Sequence, residues 1–146
     1  MKRIMIDRAL CDGCLGCTVA CMANHSKTGA CIDDLDLENP ENVSRNAIRL
    51  DENGQYAPIF CRHCDEPECA LTCITGAMVK DEETGLVLYD AEKCAACFMC
   101  VMSCPFGVLR PTADHQAVVK CDFCDGDPSC VKECPKHAIT VLEVAP

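Results

Sequence analysis

The sequence predicts an α+β fold in which short strands and short helices wrap around four groups of cysteines. Of its 146 residues 17 are cysteine, whereas there are no Trp, 2 Tyr and 4 Phe. Once cysteine is set aside, the aliphatic and aromatic side chains are few for a chain of this length, so another kind of link must hold the fold together. Disulfides, zinc and iron–sulfur clusters are the links that cysteines can form.

The N-terminal residues favour reduced thiols over a disulfide framework. The apolar run Ile4–Ile6 is too short for a secretory signal, Lys2-Arg3 is not a twin-arginine pair, and no window is long enough to span a bilayer. The odd number of cysteines also fits closed disulfides poorly. We therefore expect a cytoplasmic protein with no direct membrane insertion, whose thiols bind metal.

The charge balance excludes two classes of partner. The formal net charge is −10, with 13 basic and 23 acidic residues. Nucleic acids and anionic membrane surfaces are bound by basic patches, so we expect neither as a partner. An acidic surface is compatible with a carrier that docks on basic surfaces of partner proteins.

The cysteines fall into four groups of four, and this internal repeat organises the chain. The groups are Cys11-x2-Cys14-x2-Cys17-x3-Cys21, Cys61-x2-Cys64-x4-Cys69-x3-Cys73, Cys94-x2-Cys97-x2-Cys100-x3-Cys104 and Cys121-x2-Cys124-x5-Cys130-x3-Cys134. Cys31 stands alone. It is a spare ligand, an exchange partner or a structural free thiol, and we expect the last of these, with the thiol buried, because free cysteine commonly packs as a small hydrophobe.

Apolar stretches beside the groups predict short strands. They are Arg3–Ile6, Leu86–Tyr89, Val118-Val119 and Ala138–Leu142. The segment from Cys100 to Cys104 suits a short helix.

Two hairpins and one loop complete the predicted elements. The first hairpin pairs Ala47–Leu50 with Tyr56–Phe60 around an Asn-Gly turn, and the second pairs Ala77–Lys80 with Leu86–Tyr89. Residues 32–46 are acidic and contain a proline, so they predict a surface loop.

The spacing within the groups indicates [4Fe–4S] clusters. Cys-x2-Cys-x2-Cys brings three thiolates onto one cluster, and the cysteine after three further residues ligates the other cluster in two-cluster ferredoxins. The proline that usually follows this last cysteine is present after Cys104 and Cys134 but absent after Cys21 and Cys73. Zinc sites instead combine two distant Cys-x2-Cys knuckles, so a zinc-bound structural or interaction module is the alternative from another class.

Exchange of the last cysteine between paired groups gives four predicted ligand sets. Set A is Cys11, Cys14, Cys17 and Cys134; set B is Cys121, Cys124, Cys130 and Cys21; set C is Cys61, Cys64, Cys69 and Cys104; set D is Cys94, Cys97, Cys100 and Cys73. The symmetry predicts two bacterial-ferredoxin-like dicluster modules, one inserted in the other. The outer module comprises residues 1–57 and 111–146, and the inner module comprises residues 58–110.

No residue pattern predicts catalysis. All four predicted sites have full cysteine ligation, and the chain carries neither a nucleotide-binding glycine motif nor a P-loop, so we expect an electron carrier and not an enzyme. His63 either tunes a cluster through charge or hydrogen bonding or is an ordinary loop histidine. Lys93 and Lys120 directly precede the third and fourth groups, where each either offsets negative charge or is solvated.

The four-group pattern resembles the four-cluster iron–sulfur subunits of molybdopterin oxidoreductases, formate dehydrogenases and hydrogenases. Within that family it is most similar to the CooF-type partner of anaerobic nickel carbon monoxide dehydrogenase. The stretches that carry this resemblance are residues 4–14, 44–46, 58–67, 93–107 and 120–124.

The resemblance implies four [4Fe–4S] clusters that carry single electrons from carbon monoxide dehydrogenase to an acceptor protein. The implied acceptor is a hydrogenase or a flavin-dependent NAD(P) oxidoreductase. The alternative is the electron-transfer subunit of a molybdenum or tungsten enzyme, either formate dehydrogenase or aldehyde oxidoreductase, or of a hydrogenase.

Overall fold

The structure, a computed structural model, describes residues 1–29 and 31–145. Its strands and α-helices are β1 Lys2–Ile6, α1 Gly16–Asn24, β2 Ala47–Leu50, β3 Tyr56–Ile59, α2 Glu68–Leu71, β4 Met78–Lys80, β5 Val87–Tyr89, α3 Met99–Ser103, β6 Arg110–Pro111, β7 Val118–Val119, α4 Ser129–Lys132 and β8 Ile139–Glu143. The predicted α+β class, with short strands and short helices, is confirmed.

Both predicted hairpins form. Strands β2 and β3 pair antiparallel with Leu50 opposite Tyr56, and β4 pairs with β5. The carboxylate of Asp51 accepts hydrogen bonds from the backbone N–H groups of Asn53 and Gln55, each at 2.9 Å. Gly54 supplies a left-handed backbone with φ of 75°. This local chemistry is the reason that the first hairpin could be predicted from its turn.

The other two sheets are also two-stranded, and one of them joins the ends of the chain. Strand β1 pairs antiparallel with β8, so that Ile6 lies opposite Ile139, and β6 pairs with β7. Helix α1 packs on α4, while α2 packs on α3. The pairings therefore bring the first cysteine group beside the fourth, and the second beside the third.

Two small clusters of buried apolar side chains contain cysteines. The first comprises Met78, Val87, Cys100, Leu109 and Val118; the second comprises Cys17, Phe60, Cys130 and Ile139. Each cluster lies among the cysteine groups, so the side-chain core and the candidate sites occupy the same parts of the molecule.

The helices are too short to cross a membrane. Helix α1, with 9 residues, extends roughly 14 Å at the usual rise per residue, whereas the hydrocarbon core of a bilayer is about 30 Å thick. No helix within the described ranges is long and apolar enough to form a span.

Two expectations for the segment between the first and second groups are wrong. Cys31 is exposed, and its Sγ donates a hydrogen bond to Asp34 at 3.2 Å, because it leads directly into an acidic 3-10 turn at Ile32–Asp34. The end of the predicted surface loop is buried, with Ser44 2% and Asn46 3% exposed. Asn46 donates to the carbonyl of Cys17 at 3.1 Å, and this contact draws the loop into the core.

Candidate iron–sulfur centres

Three of the four predicted cysteine sets each line one cavity. Set A lines one cavity, set B a second and set C a third. In each case the fourth thiol comes from a different group in the sequence, as the exchanged pairing requires. The structure therefore brings the thiols of these sets together, and their role as ligands remains a prediction.

The cysteines of set D lie around α3. Cys100 is buried, and burial raises the pKa of its thiol, with further increases from the neighbouring thiolates of Cys73 and Cys94. The sulfurs of Cys73 and Cys94 therefore lie near enough to Cys100 for their charges to act on it. Cys97, the remaining member of the set, is exposed.

One backbone feature recurs in all four groups. The residue before the second cysteine is left-handed, with φ of 71° at Gly13, 43° at His63, 52° at Ala96 and 62° at Phe123. Three of these residues are not glycine, so the conformation costs free energy and persists only where the surrounding structure requires it. The shared turn lets the cysteines on either side of it converge on one cavity.

A second turn follows the last cysteine of three groups. Gly76, Gly107 and His137 are left-handed, and each donates its N–H to the carbonyl of the cysteine three residues before it. In the first group, helix α1 instead continues from Cys21 to Asn24. A proline after Cys21 would interrupt that helix, which explains why the first group departs from the usual pattern.

Burial makes the thiolate form unfavourable at several of these cysteines. It raises the pKa of Cys17 and Cys69 to about 11, and that of Cys121 and Cys130 to about 12. Groups with such values hold their protons at neutral pH unless a cation replaces them. Metal coordination deprotonates thiols outright, so the environment suits metal-bound sulfur.

Contacts join set A to set B, set B to set C and set C to set D. Cys17 and Cys130 share one apolar cluster, Nζ of Lys120 contacts both Sγ of Cys61 and the carbonyl of Cys121, and Cys69 packs against the cluster that contains Cys100. The sets therefore adjoin in the order A, B, C, D. Besides burial, a thiolate of an adjoining set raises the pKa of Cys130, Cys121 and Cys69. The adjoining thiolates are Cys17 of set A for Cys130, Cys61 of set C for Cys121, and Cys100 of set D for Cys69. Neighbouring sets are thus close enough for their charges to interact.

Polar contacts to Cys21 were not expected from the sequence. Its Sγ accepts a hydrogen bond from the backbone N–H of Arg45 at 3.2 Å and lies 3.7 Å from Nδ1 of His25. Burial lowers the pKa of His25, but the carboxylate of Asp122 and Cys21 outweigh it and raise the value to about 10. The spacing of Cys21 and His25, four residues apart on a helical stretch, is the signal that could have revealed this contact.

His25, Asp122 and Cys124 also lie within 4.8 Å of one another. The carboxylate of Asp122 is already occupied, because it contacts Nε2 of His25 at 3.1 Å and accepts from the N–H of Cys124 at 2.9 Å. We therefore interpret His25 and Asp122 as an ion pair beside set B. The three residues do not form a separate metal site.

Sulfur donors alone suit both a [4Fe–4S] cluster and zinc, but the separation of the sulfurs favours the cluster. A zinc ion holds its thiolates at about 2.3 Å, so the four sulfurs around it lie about 4 Å apart. Among the described residues, the one group of three potential ligands within 4.8 Å of one another is His25, Asp122 and Cys124, so no predicted set has the spacing of a zinc site.

The side chain of His63 is further evidence for a [4Fe–4S] cluster in the cavity of set C. It is 2% exposed and lines the cavity of set C, where its Nδ1 accepts a hydrogen bond from the N–H of Val87 at 2.9 Å. Burial first, and then nearby cations such as Lys120, lower the pKa of His63 to about 3, so the ring is neutral and carries its proton on Nε2. This Nε2 is the one buried side-chain nitrogen or oxygen in the described ranges without a hydrogen-bond partner. A cluster sulfur would accept from it.

Comparisons with known proteins agree with this chemistry. Residues 52–144 match the family described as 4Fe-4S dicluster domain. The chain is 34% identical, over 91% of its length, to the thiosulfate reductase electron transfer subunit PhsB of Salmonella typhi, and it covers 71% of that protein. It is 35% identical, over 97% of its length, to the NADH-dependent phenylglyoxylate dehydrogenase subunit beta of Aromatoleum evansii, of which it spans only 30%.

The fold is also similar to that of a solved structure. A chain of the active site complex BamBC of benzoyl-coenzyme A reductase with benzoyl-CoA superposes with a TM-score of 0.54 and 28% sequence identity. The match covers 97% of this chain and 79% of the other. The chain therefore belongs to the family of 4Fe-4S dicluster domains.

Proposed function

We propose that the chain is an electron-transfer subunit of an oxidoreductase complex and holds four [4Fe–4S] clusters, one on each of sets A to D. The observation that carries this proposal is the convergence of four thiols around one cavity in three of the sets. When bound, such clusters accept and release single electrons. The order of the sets supports a route that enters at one end of the row and leaves at the other.

We further propose that the chain consists of two modules. In the outer module, residues 1–57 and 111–146, the pairing of β1 with β8 and the packing of α1 on α4 hold sets A and B. In the inner module, residues 58–110, the β4–β5 hairpin and the packing of α2 on α3 hold sets C and D. Thr72 and Ser103 link α2 to α3 through a hydroxyl contact of 3.0 Å.

The side chains of this protein hold and shield the clusters, and the substrate chemistry belongs to a partner enzyme. Cys17, Cys21, Cys100 and Cys130 are buried, which limits the access of water to part of each of three sets. Low exposure and N–H donors to sulfur both influence cluster potentials. The net charge of −10 favours a basic docking surface on the partner.

For the partner, we propose a nickel carbon monoxide dehydrogenase as donor and a hydrogenase or flavin-dependent NAD(P) oxidoreductase as acceptor, in a reducing compartment such as the cytoplasm. The CooF-type stretches, above all residues 93–107, support this choice. The similarity to subunits of other oxidoreductases supports a second candidate, in which the chain is the electron-transfer subunit of a molybdenum or tungsten enzyme or of a hydrogenase.

The two candidates differ in which substrate reduces the chain. We expect the visible absorbance of the oxidised holoprotein to bleach under CO when catalytic amounts of carbon monoxide dehydrogenase from the same organism are added. Three matched samples are compared with it. The first contains carbon monoxide dehydrogenase without CO, the second contains formate and formate dehydrogenase, and the third contains hydrogen and hydrogenase. Bleaching by formate or hydrogen but not by CO would replace the first candidate with the second. Chains that stay oxidised in every sample but accept electrons from dithionite would contradict both.

A further inference from the structure

The repeat places a lysine directly before the third and the fourth cysteine groups, but the two lysines have different surroundings. The side chain of Lys93 is 63% exposed and forms an ion pair with Asp90 at 3.2 Å. Lys120 is 5% exposed. Its Nζ donates to Sγ of Cys61 at 3.3 Å and to the carbonyl of Cys121 at 2.8 Å. Two equivalent sequence positions have therefore diverged in structure.

The ammonium group of Lys120 has no carboxylate partner among the described residues. A buried charge is costly unless an opposite charge or strong hydrogen bonds compensate it. The anion that the fold offers to Lys120 is the thiolate of Cys61, and a charge-assisted hydrogen bond of this kind is stronger than a neutral one. The guanidinium of Arg45 donates to the carbonyl of Lys120 at 2.6 Å, which fixes the backbone from which the lysine projects.

Lys120 lies where sets B and C adjoin. Cys121 belongs to set B and Cys61 to set C, and the thiolate of Cys61 influences the pKa of Cys121. In the proposed architecture this is the junction between the outer and inner modules. An electron that travels along the row of sets crosses this junction.

We propose that Lys120 is a positioning residue for electron transfer: its buried ammonium group raises the reduction potentials of the clusters on sets B and C and favours passage of the electron between the two modules. The proposal rests on the proposed function, because it requires clusters on both sets. A cluster gains one negative charge when it accepts one electron, so a fixed positive charge and an N–H···S bond stabilise the reduced form. The electron comes from the partner enzyme.

The test compares Lys120→Met with Lys93→Met, which removes a lysine from the equivalent exposed position. Midpoint potentials of all clusters are measured by redox titration of the reconstituted holoprotein, monitored by electron paramagnetic resonance. In Lys120→Met we expect the equilibrium constant for reduction of at least one cluster to fall about tenfold, which is about 59 mV for one electron. Lys93→Met is expected to change this equilibrium constant less than threefold. The equilibrium constant of Lys120→Arg is expected to stay within threefold of the wild-type value.

A second measurement decides the matter if Lys120→Met fails to assemble its clusters. Wild-type protein labelled with nitrogen-15 lysine is expected to show hyperfine coupling between that nitrogen and a reduced cluster, and Lys120→Arg in the same labelled medium is expected to lose it. Unchanged potentials in Lys120→Met with full iron and sulfide content, or a wild type without such coupling, would overturn the role of Lys120. A wild type that binds no iron and sulfide would instead overturn the proposed function.

Discussion

Removal of iron and sulfide is expected to unfold most of the chain. The described sheets are two-stranded, and the α-helices have 4 to 9 residues, so neither kind of element is stable alone in water. In the apolar cluster beside β1 and β8, two of the four buried members, Cys17 and Cys130, are themselves predicted ligands. The free energy of cluster binding is therefore expected to be a large part of the free energy of folding.

Circular dichroism and hydrogen exchange test this expectation under anaerobic, reducing conditions. After chelation of the iron we expect loss of most of the far-ultraviolet ellipticity and of most slowly exchanging amides. Addition of iron and sulfide should restore both, whereas addition of zinc should not. An iron-free chain that keeps a cooperative thermal transition would contradict the account. Full restoration by zinc would favour the zinc module in its place.

Cys104→Ala is expected to remove the cluster on set C. The other three ligands of that set come from the second cysteine group, whereas Cys104 is the last cysteine of the third group. The thiol of Cys104 lines the cavity of set C together with Cys61, Cys64 and Cys69. Besides burial and the thiolate of Cys61, the thiolate of Cys104 raises the pKa of Cys64. We expect the iron content to fall from about 16 to about 12 atoms per chain, or to about 15 if a three-iron cluster remains.

Double variants identify which cluster is lost. Cys64→Ala combined with Cys104→Ala should lose one cluster and no more, because both residues belong to set C. Cys97→Ala combined with Cys104→Ala should lose two clusters, because the residues belong to different sets. Cys31→Ala is the matched control and should keep all of its iron, since Cys31 is exposed and lies outside the sets. The opposite pattern in the double variants would show that each group ligates one cluster by itself.

Local patterns explain why much of the fold could be predicted. The turn around Asn53-Gly54 and the apolar stretches beside the groups determine the hairpins through interactions between residues close in sequence. The cysteine spacing likewise predicts which thiols converge, and three cavities in the structure have the expected four thiols in their lining.

Contacts between distant segments explain what could not be predicted. Lys93 and Lys120 occupy equivalent positions in the repeat, but Lys93 is exposed. Lys120 is buried because the second cysteine group lies beside the fourth, where Nζ of Lys120 donates to Sγ of Cys61. Asn46 is buried because it bonds to Cys17, 29 residues away. Cys31 is exposed, and its Sγ donates to Asp34 within the same acidic turn. None of these contacts leaves a periodic signal in the sequence.

A reductive titration of the anaerobically purified holoprotein, with iron and sulfide measured on the same sample, tests the central claim most directly. Four [4Fe–4S] clusters predict about 16 iron atoms, about 16 sulfides and uptake of about four electrons per chain. Zinc without sulfide, or iron and sulfide that take up no electrons, would contradict the claim that this chain is an electron carrier.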